Sequence, residues 1–253
     1  MNTIYLPKER IHAGNLILVN REHAYVAAKQ ETNILLPAKE AVPSVQLHPR
    51  AAILLNQLMQ DIKGWEAILP MSGWRSVQEQ QSIWDQTSQE RGHAFTATYV
   101  ARPGHSEHHT GLAIDLGLNS ECIDPICPSF PYSGICQVFR QQAAKYGFVE
   151  RYLKGKEQIT GIGHEPWHFR YVGAGHAHIM TMQGFVLEEY ISFIKQFTHS
   201  ENPYQVQLGT QAMDISYLRA NEEGNTKLEL DAMLPYSISG NNVDGFVITQ
   251  WRM

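Results

Sequence analysis

The stretch 164-HEPWHFRY-171 decides the fold, because its first five residues spell HExxH, a zinc-protease signature in which two histidines stand one helical turn apart. Pro166 occupies the third of those positions. It removes a backbone donor, its ring clashes with a preceding helical turn, and it pushes Glu165 toward extended geometry. The residues that follow, 167-WHFRYV-172, are aromatic and alternating, which suits a pleated strand. The segment therefore reads as a loop running into a strand, with Glu165 on the loop and His168 and Arg170 on one strand face. A histidine held this way can still ligate a metal if its partners come from elsewhere.

Those partners are best sought in 106-SEHHTGLAID-115. His108 precedes a turn at Gly111, and Asp115 lies on 112-LAIDLGL-118, whose alternation at Leu112, Ile114 and Leu116 predicts a strand. An imidazole and a carboxylate joined by a tight turn can reach one ion. A third ligand from 167-WHF-169 would leave a fourth position for water, the arrangement of a catalytic zinc site. Ser106, His108 and Asp115 also contain the three residue types of a serine hydrolase. However, 104-GHSEH-108 is not a nucleophile elbow, and that reading leaves Glu165 and His168 idle.

The 253 residues suffice for one sizeable core and a small appended module. With 43% hydrophobic and 18% charged residues the chain is ordinary globular material. A formal charge of -5 without a basic run argues against nucleic acid as a partner. The first twenty residues place charges at Lys8, Glu9 and Arg10, and their longest apolar run is 16-LILV-19. A signal peptide needs roughly 7–15 apolar residues and a spanning helix about 18. The expected location is the cytoplasm, with no membrane anchor. Cys122, Cys127 and Cys136 are odd in number and lack a CxxC spacing, so they read as free or buried thiols.

Helices are predicted over 49–65, 76–90, 137–147 and 184–197, and strands over 67–74, 112–118 and 167–173. After the linker-like 199-HSENPY-204 come short alternating runs at 204–210, 214–220, 226–233 and 245–251, separated by turn signals. The expected organisation is a domain over 1–197 and a small β-rich module over 198–253 whose residues carry no readable chemistry.

Three separated motifs now stand in order: 72-SGWRS-76; SxHxxGxAxD at Ser106, His108, Gly111, Ala113 and Asp115; and ExxH at Glu165 and His168. Together, over residues 45–175, they resemble the zinc D-alanyl-D-alanine peptidases, the group of VanX dipeptidases, VanY carboxypeptidases and bifunctional VanXY enzymes of glycopeptide resistance. The chain is longer than a minimal dipeptidase and is most similar to the VanXY type.

The resemblance implies an α+β fold, with a small, mostly antiparallel sheet holding one zinc ion per chain in a cleft against packed helices. It implies zinc ligands at His108, Asp115 and His168, a general base at Glu165, and at Arg75 a cation that stabilises the oxyanion. Ser106, Gln80 and Trp167 would contact substrate, while His109 and His164 remain polar neighbours. The implied reaction is hydrolysis of the bond preceding a C-terminal D-alanine, in free D-Ala-D-Ala and in the nucleotide-linked peptidoglycan precursor pentapeptide. Two rivals are another peptidoglycan carboxypeptidase or endopeptidase on the same scaffold, and a zinc module that binds peptide without cleaving it.

Overall fold

The computed structural model describes residues 2–27 and 34–252. The chain divides into two compact units, one of Val19–Tyr25 and Thr32–Val186, the other of Met1–Leu18, Val26–Glu31 and Leu187–Met253. Strand β1 (Asn2–Leu6) opens the chain and belongs to the second unit.

The first unit begins with a hairpin of β2 (Leu36–Lys39) and β3 (Val42–Leu47). Helix α1 (Pro49–Asp61) follows at the predicted place, with proline at its first turn and His48 Nδ1 accepting from the Arg50 N–H at 3.3 Å. Its stripe of Ala51, Ala52, Leu55, Leu58 and Met59 is buried. A four-stranded antiparallel sheet forms from β4 (Ile68–Ser72), β5 (Ala113–Leu118), β6 (Phe148–Tyr152) and β7 (Glu165–Tyr171), in the spatial order β4-β5-β7-β6. Helix α1 and helix α4 (Gly134–Ala143) share a core with this sheet, where Phe139 and Phe169 stack edge to face with ring centroids 4.8 Å apart. Truncating a fully buried residue there, such as Leu55, costs about 2–5 kcal/mol.

Strand alternation separates the core from the chemistry. Ile114, Leu116, Phe169 and Tyr171 enter the core, and Ala113, Asp115, His168 and Arg170 fall on the other parity. The register sets Ala113 opposite Arg170 and Asp115 opposite His168, so residues far apart in sequence become cross-strand neighbours.

Helix α2 (Val77–Arg91) carries a full capping box. Ser76 Oγ accepts from the Glu79 N–H, and the Glu79 carboxylate accepts from the Ser76 N–H. Three helices lie outside the sequence expectation: α3 (His93–Tyr99), α5 (Glu157–Thr160) and α6 (Ala174–Gln183). Gly92, at φ 86°, separates α3 from α2. Strand β6 was hidden because Glu150 and Arg151 interrupt its apolar pattern. Glu165, expected on a loop, is the first residue of β7 and pairs with Tyr152.

The second unit contains α7 (Leu187–Ile194), shorter than the predicted 184–197 because Gly184 ends α6 in the left-handed region. Its sheet joins β8 (Tyr204–Leu208), β9 (Gln211–Arg219), β11 (Tyr236–Gly240) and β12 (Gly245–Arg252) in the order β11-β12-β9-β8, all antiparallel. Strand β10 (Thr226–Leu230) pairs instead with β1, and Leu6, Ile11, Leu228, Leu230, Phe246 and Ile248 form a core. The tail is β-rich, but its unit also takes in the N-terminal residues and α7, which the sequence pattern alone groups with 1–197. Among the described residues no helix is long and apolar enough to cross a membrane.

Candidate active site

Three side chains converge on the sheet face away from the α1–α4 core. Asp115 Oδ1 lies 2.9 Å from His168 Nδ1, and Asp115 Oδ2 lies 3.1 Å from His108 Nε2. His108 arrives from a 3-10 turn, Glu107–Thr110, whose first N–H groups Ser106 caps by accepting from the His108 N–H at 3.3 Å. Gly111 ends that turn at φ 68°, and a Cβ there would stand 3.0 Å from the His48 nitrogen, so only glycine turns the chain into β5.

One potential ligand atom from each of the three residues lies within 4.8 Å of the others, and all three residues are buried. The remaining ring nitrogens are already committed. His108 Nδ1 donates to the Gly73 carbonyl at 2.6 Å, leaving Nε2 with its lone pair toward Asp115. His168 Nε2 faces Glu107 Oε2 at 3.4 Å, leaving Nδ1 toward the same point. Two imidazole nitrogens and one carboxylate oxygen, each ring oriented by its other nitrogen, form a donor set that fits zinc.

Sequence reasoning passed over Glu107, which lies inside the second motif at a position that motif leaves open. It is fully buried, pairs with Arg151 Nε at 2.7 Å and Arg170 Nη1 at 2.9 Å, and reaches His168. Burial alone would raise its carboxyl, but Arg151, Arg170 and His168 hold it well below the usual carboxylate range. Arg151 and Arg170 are themselves fully buried, so this acid offsets one of two buried positive charges and orients the His168 ring. Glu107→Gln is expected to weaken zinc binding by roughly 10- to 100-fold, read by competition with a chromophoric chelator. Unchanged affinity would show that Glu107 supports the fold alone.

Burial pushes His108 down to about 4, with Arg75 adding to the effect. It pushes His168 down too, but hydrogen bonds to Asp115 and Glu107 outweigh it and carry that ring up to about 9. Asp115 is held well below its ordinary value by both histidines in spite of its burial. Glu165 behaves differently. Burial raises its carboxyl to about 8, and His168 and Arg75 offset only part of that rise. Its Oε2 lies 3.8 Å from His168 Nδ1, beside the proposed ligand atom.

Arg75 is fixed on three sides. Nε donates to Ser72 Oγ at 2.7 Å, Nη1 to Gln80 Oε1 at 3.2 Å, and Nη2 to Asp115 Oδ2 at 2.9 Å. These bonds use one hydrogen per nitrogen and leave one on each terminal nitrogen for a substrate oxygen. Gln80 is anchored in turn by donating to the Ala101 carbonyl at 2.8 Å. Arg75, Gln80, Ser106, Glu165 and Trp167 all line a pocket of about 450 Å³ together with the three convergent residues. Trp167 serves both readings, because it is buried in the core cluster and also forms a pocket wall.

The two histidines left as neighbours take other roles. His109 Nδ1 donates to the Arg75 carbonyl at 2.9 Å, and His164 Nε2 lies 2.8 Å from the Tyr132 hydroxyl. Tyr152, Tyr99 and Ile126 also line the pocket, and the Tyr152 ring centroid is 4.8 Å from that of His168. Tyr152 lies on the strand hidden by Glu150 and Arg151, and Tyr99 on the unexpected α3, so no periodic signal marked either. All three cysteines are free, as the sequence suggested.

The chain is similar to known proteins along its length. Residues 44–174 match the family described as VanY, D-alanyl-D-alanine carboxypeptidase. The Enterococcus gallinarum protein named bifunctional D-Ala-D-Ala dipeptidase and D-Ala-D-Ala carboxypeptidase VanXYC is 41% identical over 184 residues, covering 72% of this chain and 96% of its own. The crystal structure of the vancomycin resistance D,D-dipeptidase VanXYg in complex with a D-Ala-D-Ala phosphinate analog matches with a TM-score of 0.95 at 46% identity, over 99% of each chain. A Zn(II) complex of a variant of the vancomycin resistance D,D-pentapeptidase VanY from a VanB-type cassette matches at 30% identity and a TM-score of 0.57, over 70% of this chain and 98% of that one. The matched range runs from the hairpin before α1 to the end of β7 and so contains every residue of the pocket's acid, imidazole and guanidinium set. With that coverage, and with identity sustained along nearly the whole of VanXYC, the chain belongs to the VanY family of D-alanyl-D-alanine carboxypeptidases.

Proposed function

We propose that the chain hydrolyses the peptide bond preceding a C-terminal D-alanine, both in D-Ala-D-Ala and in the peptidoglycan precursor pentapeptide, and so removes the targets of vancomycin. The observation that carries this reading is the convergence of His108, Asp115 and His168 beside a buried carboxylate and a fixed guanidinium in one pocket. The relatives named for D-Ala-D-Ala hydrolysis, and the VanXYg complex with a D-Ala-D-Ala analog, support the choice of substrate. The Zn(II) complex of VanY supports the choice of metal.

His108 Nε2, an Asp115 carboxylate oxygen and His168 Nδ1 would hold the zinc ion. When bound there it would supply Lewis acidity toward the scissile carbonyl and the attacking oxygen. Glu165 accepts the proton of the attacking water at a carboxylate oxygen and returns it to the departing amine of D-alanine. Arg75 directs its remaining N–H donors at the oxygen on which negative charge develops, already oriented by Ser72, Gln80 and Asp115. Ser106 offers a hydroxyl at the pocket wall, Gln80 sets the position of Arg75, and Trp167 supplies an apolar wall for the alanyl side chains. The chemistry lies within the unit of Val19–Tyr25 and Thr32–Val186, and action on the free dipeptide and the nucleotide-linked precursor would place the enzyme in the cytoplasm.

The test is release of D-alanine from D-Ala-D-Ala and from the nucleotide-linked pentapeptide, with and without a chelator. Release from both, abolished by chelation and restored by zinc, is expected. Release from neither would end this reading, and release from the pentapeptide alone would make the chain a carboxypeptidase only.

A further inference from the structure

A second cavity, of about 550 Å³, opens beside the catalytic pocket, and Val100, Ala101, Tyr152 and Ile162 face both. These four side chains are a shared wall, and Tyr152 packs its ring against His168. The second cavity therefore begins one side chain away from the proposed ligand cluster. Arg21, Arg102 and Trp84 line it further out. Neither guanidinium is engaged by a carboxylate among the described residues.

The backbone that carries the two arginines is fixed by local hydrogen bonds. Asn20 Oδ1 accepts from the Glu22 and His23 N–H groups, both at 3.0 Å, closing a turn that carries Arg21. His105 Nδ1 donates to the Asn20 carbonyl at 2.8 Å, and the Tyr25 N–H donates to the Gly104 carbonyl at 2.8 Å. The turn is thus clamped to the loop that carries Arg102. The Arg21 stem passes over Gly161, where a Cβ would stand 3.3 Å from its Cδ. Two exposed cations from distant parts of the chain line one cavity in a protein whose formal charge is -5.

A dipeptide ends on its acyl side in an ammonium and has nothing to place there. A longer substrate continues past the reacting bond and carries acidic groups. We propose that this cavity is an anion-binding subsite for the acyl portion of longer substrates, in which Arg21 and Arg102 meet a carboxylate of the stem peptide or a phosphate of its nucleotide. The proposal rests on the hydrolysis argued above and gives that activity a physical basis for accepting the pentapeptide as well as the dipeptide.

The experiment compares the native chain with the Arg21→Gln, Arg102→Gln double variant on four substrates: D-Ala-D-Ala, a neutral N-acylated tripeptide ending in D-Ala-D-Ala, the free pentapeptide, and the nucleotide-linked pentapeptide. For the nucleotide-linked pentapeptide kcat/KM should fall roughly five- to tenfold, mostly through KM, while the dipeptide and the neutral tripeptide stay within about twofold. An equal fall on the free pentapeptide assigns the contact to the stem carboxylate, and a fall confined to the nucleotide-linked form assigns it to the phosphates. No change, or the same change on all four, overturns the subsite. Calorimetric titration of the nucleotide-linked pentapeptide into Glu165→Ala chains, with and without the two arginine replacements, reads binding without turnover. It should show the same loss of affinity, and equal affinities would also overturn the subsite. Should the native chain release D-alanine from neither D-Ala-D-Ala nor the pentapeptides, the hydrolytic assignment fails, while the titration still decides the subsite.

Discussion

Glu165→Ala is expected to lower kcat on D-Ala-D-Ala by roughly 10²- to 10⁴-fold while the purified protein keeps its zinc. Glu165 opens β7, three residues before His168, and its carboxylate lies 3.8 Å from the ring nitrogen that faces Asp115. It is buried, and that burial is the chief cause that raises its carboxyl above the ordinary value, which makes it a stronger proton acceptor than a solvated carboxylate. It is not one of the three converging donors, so its loss should spare metal content. Measured together, steady-state turnover and metal stoichiometry separate the roles. Turnover within about tenfold of native would refute the base assignment. Loss of the metal along with activity would make Glu165 a ligand instead.

Asp115→Asn should have the largest effect on the metal itself. Asp115 touches both imidazoles and Arg75, and it faces His168 across the β5–β7 pair. The amide keeps the shape but removes the charge that balances a dication and presents donors where donors are unwelcome. Zinc affinity should fall beyond the roughly 100-fold that loss of an orienting partner produces, and hydrolysis should fall with it at ordinary zinc concentrations. The replacement also strips Arg75 of its ion pair, so the protein should lose thermal stability in the absence of metal. Native zinc affinity in this variant, measured by chelator competition, would remove Asp115 from the ligand set.

Much of the site was legible because its grammar is local. Pro166 excluded a zinc helix, the alternation of 112-LAIDLGL-118 gave β5, and the glycine at 111 marked the turn that brings His108 to Asp115. What could not be read was pairing. Nothing in a single sequence says that β7 runs between β5 and β6, or that Asp115 falls opposite His168 rather than one residue away. Glu107 escaped for a related reason. A lone acid in a polar loop reads as solvated until two arginines, one on β6 and one on β7, are seen to enclose it. Strand β6 escaped for the same reason, since its charged residues look like a surface loop before their partner is known. The N-terminal residues were misassigned because β1 finds its partner β10 more than two hundred residues later, a pairing that carries no local mark.

His108, Asp115 and His168 are proposed to hold one catalytic zinc ion. The most direct measurement is metal content by plasma mass spectrometry on the purified native protein, followed by chelation and stepwise return of zinc with turnover recorded at each step. One zinc per chain, activity abolished on removal, and recovery that saturates at one equivalent are expected. A protein that carries no stoichiometric transition metal and hydrolyses D-Ala-D-Ala equally well before and after chelation would contradict zinc catalysis at these three residues.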